Sequence, residues 1–283
     1  MRSGATRAIA RLYRLTTRSV PSGSDEPVEI RPGVVVPRFV LEWSRAAPAE
    51  IRTILACFQP ALDVTGKSVA TVGRGAGDVA IELARSGASR VVALDMAARR
   101  LELSKIALEE ESGALPVEAF PYPEGLSAAG DRRFDVVVAV DAFRKYRAAP
   151  GARHVEERTA ELAALLAPGG KLAVALGPSW KAPFGGGIQS RLPWAHLIFP
   201  EEVIFAEHRR ARPGNRAQTF NDIGVNRITL ERFLSAMSAT GLACSHLETN
   251  VGDRRAVAVA RQLSRIPALR EHFAQNVFGV WVR

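Results

Sequence analysis

Only two cysteines occur in the 283 residues, and neither Cys57 nor Cys244 has metal-ligand spacing around it. A disulfide framework and a cysteine-held metal are therefore excluded, and both thiols are expected as reduced core residues in apolar surroundings. Lysine is scarce beside arginine, which is a coding bias as readily as a physical signal. No acidic residue precedes Asp25. No apolar run is long enough to span a bilayer, and residues 1–21 lack the unbroken apolar core of a secretory signal. The expectation is a cytoplasmic protein. Internal repeats and low-complexity tracts are absent, which rules out solenoids and compositionally disordered chains.

What is present is enough apolar material, 47% of residues, to bury a full core. One large α/β domain fits this length better than two independent ones. The formal charge is +9, and Arg2, Arg7, Arg11, Arg14 and Arg18 supply five of those charges. The basic character belongs mainly to an arm, so the rest of the chain is only about +4. Residues 1–21 alternate these arginines with Ile9, Leu12, Tyr13 and Leu15, so a helix with a narrow apolar side is possible. The arm reads as a solvated tail, with weak membrane-surface contact or nucleic-acid contact as the alternatives. Residues 22–37, rich in proline and glycine, read as an extended connector from the arm onto a domain spanning 38–283.

The organising stretch is 68–95, SVATVGRGAGDVAIELARSGASRVVALD. A β-branched run ends in Gly73-Arg74-Gly75-Ala76-Gly77, a helical pattern follows with Val79, Ile81, Leu83 and Ala84 inward, and a second apolar strand ends in Asp95. Glycines at alternate positions let the backbone turn sharply and let a ligand lie against bare peptide. An acid at the end of the next strand can accept both hydroxyls of a ribose. The spacing is G-x-G-x-G, with Asp78 where a dinucleotide fingerprint would carry its third glycine, and this tilts the reading away from NAD.

This pattern resembles the first motif of the class I S-adenosylmethionine-dependent methyltransferases. The resemblance continues through Phe134-Asp135-Val136-Val137-Val138, similar to their fourth strand, and Leu166-Ala167-Pro168-Gly169-Gly170-Lys171-Leu172, similar to the approach to their fifth. Residues 193–199 and 226–229 are similar to a group of bacterial methyltransferase-domain proteins. The resemblance implies a Rossmann-like, doubly wound α/β sheet of seven strands, mostly parallel with an antiparallel last strand, and S-adenosylmethionine as cofactor. It departs from the family at Thr71, where an acidic residue usually stands, and at Arg74 within the loop. Two functions therefore stand side by side. One is methyl transfer to an oxygen or nitrogen of a small or lipid-like molecule; the other is a non-catalytic binding or scaffold protein on the same fold.

The resemblance places Thr71, Gly73, Arg74, Gly75, Gly77, Asp95, Met96, Tyr122, Asp141 and Phe143 at the cofactor. Glu118 or Glu124 could read the adenine amino group, or Glu118 could simply face solvent. The end of the fourth strand would lie nearest the transferred methyl group, which makes Asp141, Phe143 and Tyr146 candidates for the reaction chamber. Residues 178–226 show little periodicity and form a long insertion after the fifth strand, of the kind that builds substrate walls or lids. They carry Gly185-Gly186-Gly187 as a hinge candidate, and Trp194, His196 and Phe199 as candidates for substrate contact. His196 could be a general base, since an imidazole titrates near neutral pH, or it could only hydrogen-bond within the insertion. Asp141 is the second catalytic candidate, and no metal is expected. The absence of an Asn-Pro-Pro-Tyr motif after the fourth strand speaks against nucleic-acid modification. Arginine charge without interleaved aromatics speaks against it too.

Overall fold

The structure is a computed structural model and describes residues 9–13, 15, 26–73, 75–95, 98–110, 115–122, 133–143, 154–188, 190, 192–211, 216–223, 225, 227–251 and 255–283. The connector is ordered as a hairpin, not extended: β1 (Pro27–Arg31) pairs antiparallel with β2 (Val34–Pro37). The turn closes where the Gly33 N–H donates to Glu29 Oε1 at 2.9 Å. Helix α1 (Arg38–Ala56) follows at once and runs through Pro48. Proline suits the first turn of a helix, which is why the pattern reads as a helix beginning at residue 48. Here it costs one backbone hydrogen bond inside a longer element.

Strand β3 (Ser68–Gly73), helix α2 (Ala76–Arg85), strand β4 (Arg90–Asp95), helix α3 (Ala98–Glu110) and strand β5 (Val117–Pro121) form two successive parallel strand–helix–strand units. The chain then returns to the centre as β6 (Phe134–Val140), followed by α4 (His154–Ala164) and β7 (Leu166–Leu176). Past residue 176 come α5 (Ala195–Ile198), α6 (Glu201–Ala211), a 3-10 turn (Asn221–Ile223) and α7 (Leu230–Ala239). Strand β8 (Ala243–Thr249), helices α8 (Arg255–Leu263) and α9 (Pro267–Phe273), and strand β9 (Val277–Val282) complete the chain. The seven-stranded sheet has the order β5-β4-β3-β6-β7-β9-β8. Strands β5 to β7 are parallel, and β9 is antiparallel to both β7 and β8.

The two faces of the sheet make two cores. One gathers Val137, Leu172 and Trp281 with Leu162 of α4 and Phe233 and Met237 of α7. The other gathers Val69, Val91 and Val138 with Ile51 of α1, Phe58, and Val79, Ala80 and Leu83 of α2. Near-continuous Val, Ala and Leu in β3, β4 and β6 follow from this, since a parallel strand covered on both sides has no solvent face to alternate toward. At its foot β6 is tied to β3 through Asp135, which accepts from Ser68 N at 2.9 Å and from Ser68 Oγ at 2.7 Å. Those bonds hold the Asp135 carboxyl below its ordinary pKa.

Three expectations are corrected by this arrangement. Cys57 is buried as expected, but Cys244 is exposed, because β8 is the edge strand and residues 243–245 face solvent. Residues 178–226 hold one helix of substance that their sequence hid: α6 has Glu201 and Glu202 in its first turn and His208, Arg209 and Arg210 in its last, matching the helix dipole at both ends. This segment has its own core, where Val203, Ile204, Phe205 and Phe220 pack with Ala195 and Phe199. Among the described residues of the arm, two join that core rather than standing in solvent. Residues 9–13 are helical, Ala10 and Tyr13 are buried in the cluster, and the Tyr13 ring meets Phe199 edge-on at 5.1 Å. Burial first, and the Glu207 charge second, push the Tyr13 hydroxyl up to about 12.

Strand β9 is an interior strand, flanked by β7 and β8 and carrying Trp281 into the α7 core. A chain truncated after residue 275 is therefore expected to lose cooperative thermal unfolding. Retention of a sharp transition by calorimetry would contradict this placement of β9.

Candidate active site

Strand order reverses between β3 and β6, and the crevice outside the carboxyl ends of these strands is where α/β sheets of this type hold ligands. The register builds one row there. Gly73 lies opposite Asp95 on one side and Val140 on the other, and Asp95 lies opposite Pro121. Residues drawn from four strands thus end at one level, although Pro121 and Val140 lie 48 and 67 positions beyond Gly73 in the sequence.

The three glycines of the loop are required for three different reasons. At Gly73, with φ +139, an added Cβ would sit 1.9 Å from the Val140 carbonyl oxygen, so the β3 backbone approaches β6 too closely for any side chain. Gly75 caps α2 with φ 85, in the left-handed region that costs glycine little. At Gly77 the constraint is helix packing: a Cβ would fall 2.3 Å from Ser104 Cβ and 2.4 Å from Ser104 Oγ on α3. Asp95 is buried, and its Oδ2 accepts from Gly75 N at 2.8 Å. One carboxylate therefore fixes the glycine turn from the neighbouring strand.

Thr71 is fully buried within β3, between Ala93 and Val138, on the face covered by α1 and α2. Asp141 follows β6 in the left-handed region with φ 54, beside Gly73. A non-glycine residue in that conformation is a local strain of the sort found at ligand sites. Tyr122 is half-buried; its N–H donates to Asp95 O at 2.8 Å and its hydroxyl to Glu161 Oε2 at 2.6 Å. The Arg158 guanidinium lies over the Tyr122 ring at 4.3 Å and bonds the same carboxylate at 3.0 Å. Arg158 and Glu161 were not legible as site-supporting residues, since nothing in the local pattern of α4 marks them. Arg74, Met96, Glu124 and Tyr146 lie outside the described residues.

Other candidates are placed elsewhere. Phe143 is a core residue, packed edge-on against Phe233 at 5.4 Å and only 3% exposed. Glu118 pairs with Arg90 on the outer strands, both partly exposed to solvent, as the plainer expectation had it. Trp194 donates from Nε1 to Lys181 O at 3.1 Å and meets Phe273 edge-on. His196 is buried, with Nε2 2.6 Å from Trp180 O and its ring edge-on to Trp180 at 4.8 Å. A carbonyl can only accept, so Nε2 carries the proton. Burial lowers the His196 pKa, and the Trp180 bond opposes this to a smaller extent. His196 and Phe199 thus build the inside of the 178–226 segment, while Trp194 links Lys181 to Phe273 of α9. Among the described residues no group of His, Cys, Asp and Glu is arranged to hold a metal ion. Nor is any helix among them long and apolar enough to cross a membrane.

A doubly wound sheet with this strand order, a glycine turn at the switch point and an acid closing the next strand defines the Rossmann-like fold of the class I methyltransferases. Residues 70–174 match the family model of a methyltransferase domain, which bears out the resemblance over the stretch that builds the crevice. Among solved structures, a geranyl diphosphate methyltransferase in complex with SAM is similar at a TM-score of 0.52 and 14% identity, covering 95% of this chain and 97% of its own. The magnesium protoporphyrin IX methyltransferase from Synechocystis PCC 6803 with bound SAH is similar at a TM-score of 0.50 and 17% identity, covering 87% of each chain. At such identities the likeness is one of fold. No match was found among curated proteins.

Two outcomes test this geometry. Gly77→Ala should lower the melting temperature markedly by driving α2 off α3, and adding Ser104→Gly should recover part of the loss, since it removes both clashing atoms. No recovery in thermal melts would place the cause elsewhere. For His196 the folded pKa lies below the unfolded value of about 6.5. The unfolded chain therefore binds more protons around and below that value, and stability should fall as pH drops through it. Melts from pH 8 to about pH 5.5 should show a smaller acid loss in His196→Gln.

Proposed function

We propose that the protein binds S-adenosylmethionine at the β3–β6 switch point and transfers its methyl group to an oxygen or nitrogen of a small or lipid-like acceptor. The observation that carries this reading is the row at the carboxyl edge, where Asp95 holds the Gly75 N–H and the β3 turn presents bare backbone beside it. The residues fit the ligand: glycine backbone allows close approach of its methionyl part, and the Asp95 carboxylate stands at the strand end where ribose hydroxyls are bound. Tyr122, braced by Arg158 and Glu161, stands next along the same edge as a wall for the adenine.

When bound, this cofactor supplies an electrophilic methyl group on a sulfonium sulfur. The chain has only to align an acceptor in line with that methyl and keep water out. Asp141, turned by its left-handed backbone beside Gly73, is the residue we assign to orient the acceptor and accept its proton. His196, whose Nε2 proton is committed to the Trp180 carbonyl, is assigned to holding the 178–226 segment as the acceptor wall. A cytoplasmic location belongs to the same proposal.

A buried, uncharged Thr71 at the position of the usual acid favours weaker retention of the cofactor's amino end, and a non-catalytic binding protein is the second reading. Titration calorimetry with S-adenosylmethionine and S-adenosylhomocysteine decides between outcomes. Saturable micromolar binding is expected. Asp95→Asn, which keeps an acceptor for Gly75 N–H but removes the charge, should weaken it about tenfold or more. Folded protein that releases no binding heat with either ligand would rule out the proposal, and unchanged affinity in Asp95→Asn would move the ligand away from this edge.

A further inference from the structure

A cavity of about 670 Å³ opens beside β8, between α7 and the pair α8 and α9. Strands β7 and β9 stand between β8 and β6, so at the ordinary spacing of about 4.8 Å per strand β8 lies about 14 Å from β6. No residue assigned above to the cofactor or the acceptor lines this cavity. Its walls are clamped to one another. Thr249 Oγ1 lies 2.8 Å from Ser264 Oγ, which joins the end of β8 to the residue after α8. Arg261 Nε donates to Asn250 O at 3.1 Å, and the Asn250 side chain donates to Phe273 O at 2.6 Å and accepts from Gln275 N at 2.8 Å. Glu271 of α9 accepts through Oε1 from Glu231 N in the first turn of α7. A site held in this way has little freedom left to lose on binding.

Polar groups of both kinds on these walls lack a counterpart. The Arg265 guanidinium bonds only the neutral Gln262 side chain, at 3.2 Å, and the half-buried Arg270 guanidinium bonds nothing; among the described residues neither meets an acid. Glu271 Oε2 is buried without a hydrogen bond. Guanidinium forks call for a carboxylate or phosphate, and a buried carboxylate oxygen calls for an N–H or O–H donor. Charge decides between the two anions. Arg261, Arg265 and Arg270 stand against Glu231, Glu248 and Glu271, so the lining carries no net charge. A phosphate dianion would face three acids here, whereas a carboxylate brings a single charge and a donor group beside it meets Glu271. Leu234, Leu247 and Pro267 supply an apolar wall.

We infer that this cavity binds a small aliphatic carboxylic acid that also carries an amino or hydroxyl group. Its carboxylate is held by Arg265 and Arg270, its donor by Glu271 Oε2, and its hydrocarbon lies against Leu234 and Leu247. The site stands apart from the crevice, so this assignment does not depend on methyl transfer.

The test is a ligand-observed NMR titration of the full chain with leucine, with leucic acid, its hydroxy analogue, with isocaproic acid, the same skeleton without a donor, and with inorganic phosphate. Saturable binding with a Kd of about a millimolar or tighter is expected for leucine or leucic acid, and the stronger of the two names the donor. Isocaproic acid should bind about tenfold more weakly or worse, because it leaves Glu271 Oε2 unpaired. Arg270→Gln should weaken the bound acid about tenfold and leave the melting temperature unchanged, since the Arg270 guanidinium makes no bond in the folded protein. Glu271→Gln should erase the preference over isocaproic acid; Arg270→Gln keeps the test valid if that variant fails to fold. Folded protein that binds neither leucine nor leucic acid overturns the proposal. So does equal binding of isocaproic acid, tighter binding of phosphate, or an affinity indifferent to Arg270→Gln. Displacement of the acid by S-adenosylmethionine would put it in the crevice and likewise overturn the assignment.

Discussion

At Gly73 the backbone of β3 passes so close to β6 that a Cβ would lie 1.9 Å from the Val140 carbonyl oxygen. The carboxyl edge of the sheet depends on that approach. It ends β3 level with Asp95 and Val140, and it turns the chain into Gly75, whose N–H the buried Asp95 carboxylate accepts. Asp141 leaves β6 in the left-handed region at the same place. A side chain at Gly73 would push the two central strands apart, and the register that aligns four strand ends would go with them. Gly77 extends the constraint outward, since its contact with Ser104 sets how closely α3 lies on α2.

The second unit of the molecule is built around Trp180, which receives His196 and Phe220 edge-on, with the Arg227 guanidinium 5.2 Å from its ring centre. Glu201 ties this unit together by accepting from Phe220 N at 2.6 Å and pairing with Arg227 at 2.5 Å. The unit begins just past β7, whose Ala175 lies opposite Val140, so it starts from the same edge as the crevice. Tyr13 closes its core from the arm. A buried histidine in such a setting stabilises the segment by a directed hydrogen bond and by ring contacts.

Much of the sheet was legible because a parallel strand covered on both faces leaves a continuous apolar run. Residues 68–72, 91–94 and 134–138 could be read this way without knowing their partners. The glycine turn and Asp95 were legible too, since only a few backbone chemistries need glycines at alternate positions before a helix. Where the signal was local but ambiguous, the reading stopped short: Pro48 fits both the start and the interior of α1. In residues 201–211 the signal was present, acidic at the start and basic at the end, but it was hidden by the glycine- and proline-rich sequence around it. Phe143 and Phe199 could not be told from ligand-lining rings, because an aromatic side chain has the same local signature in a core as in a chamber.

The sequence alone determined the strands of the large sheet, the turn at Gly73 to Gly77 and the acid that closes β4, because periodicity and backbone chemistry act over a few residues. Only the tertiary structure decided which side chains meet. It set Asp95 on Gly75 and Glu161 on Tyr122, and it spent His196 on Trp180 and Tyr13 on Phe199. These contacts join positions 16 to 186 residues apart, and no local pattern encodes a partner that the chain reaches only after the sheet has closed.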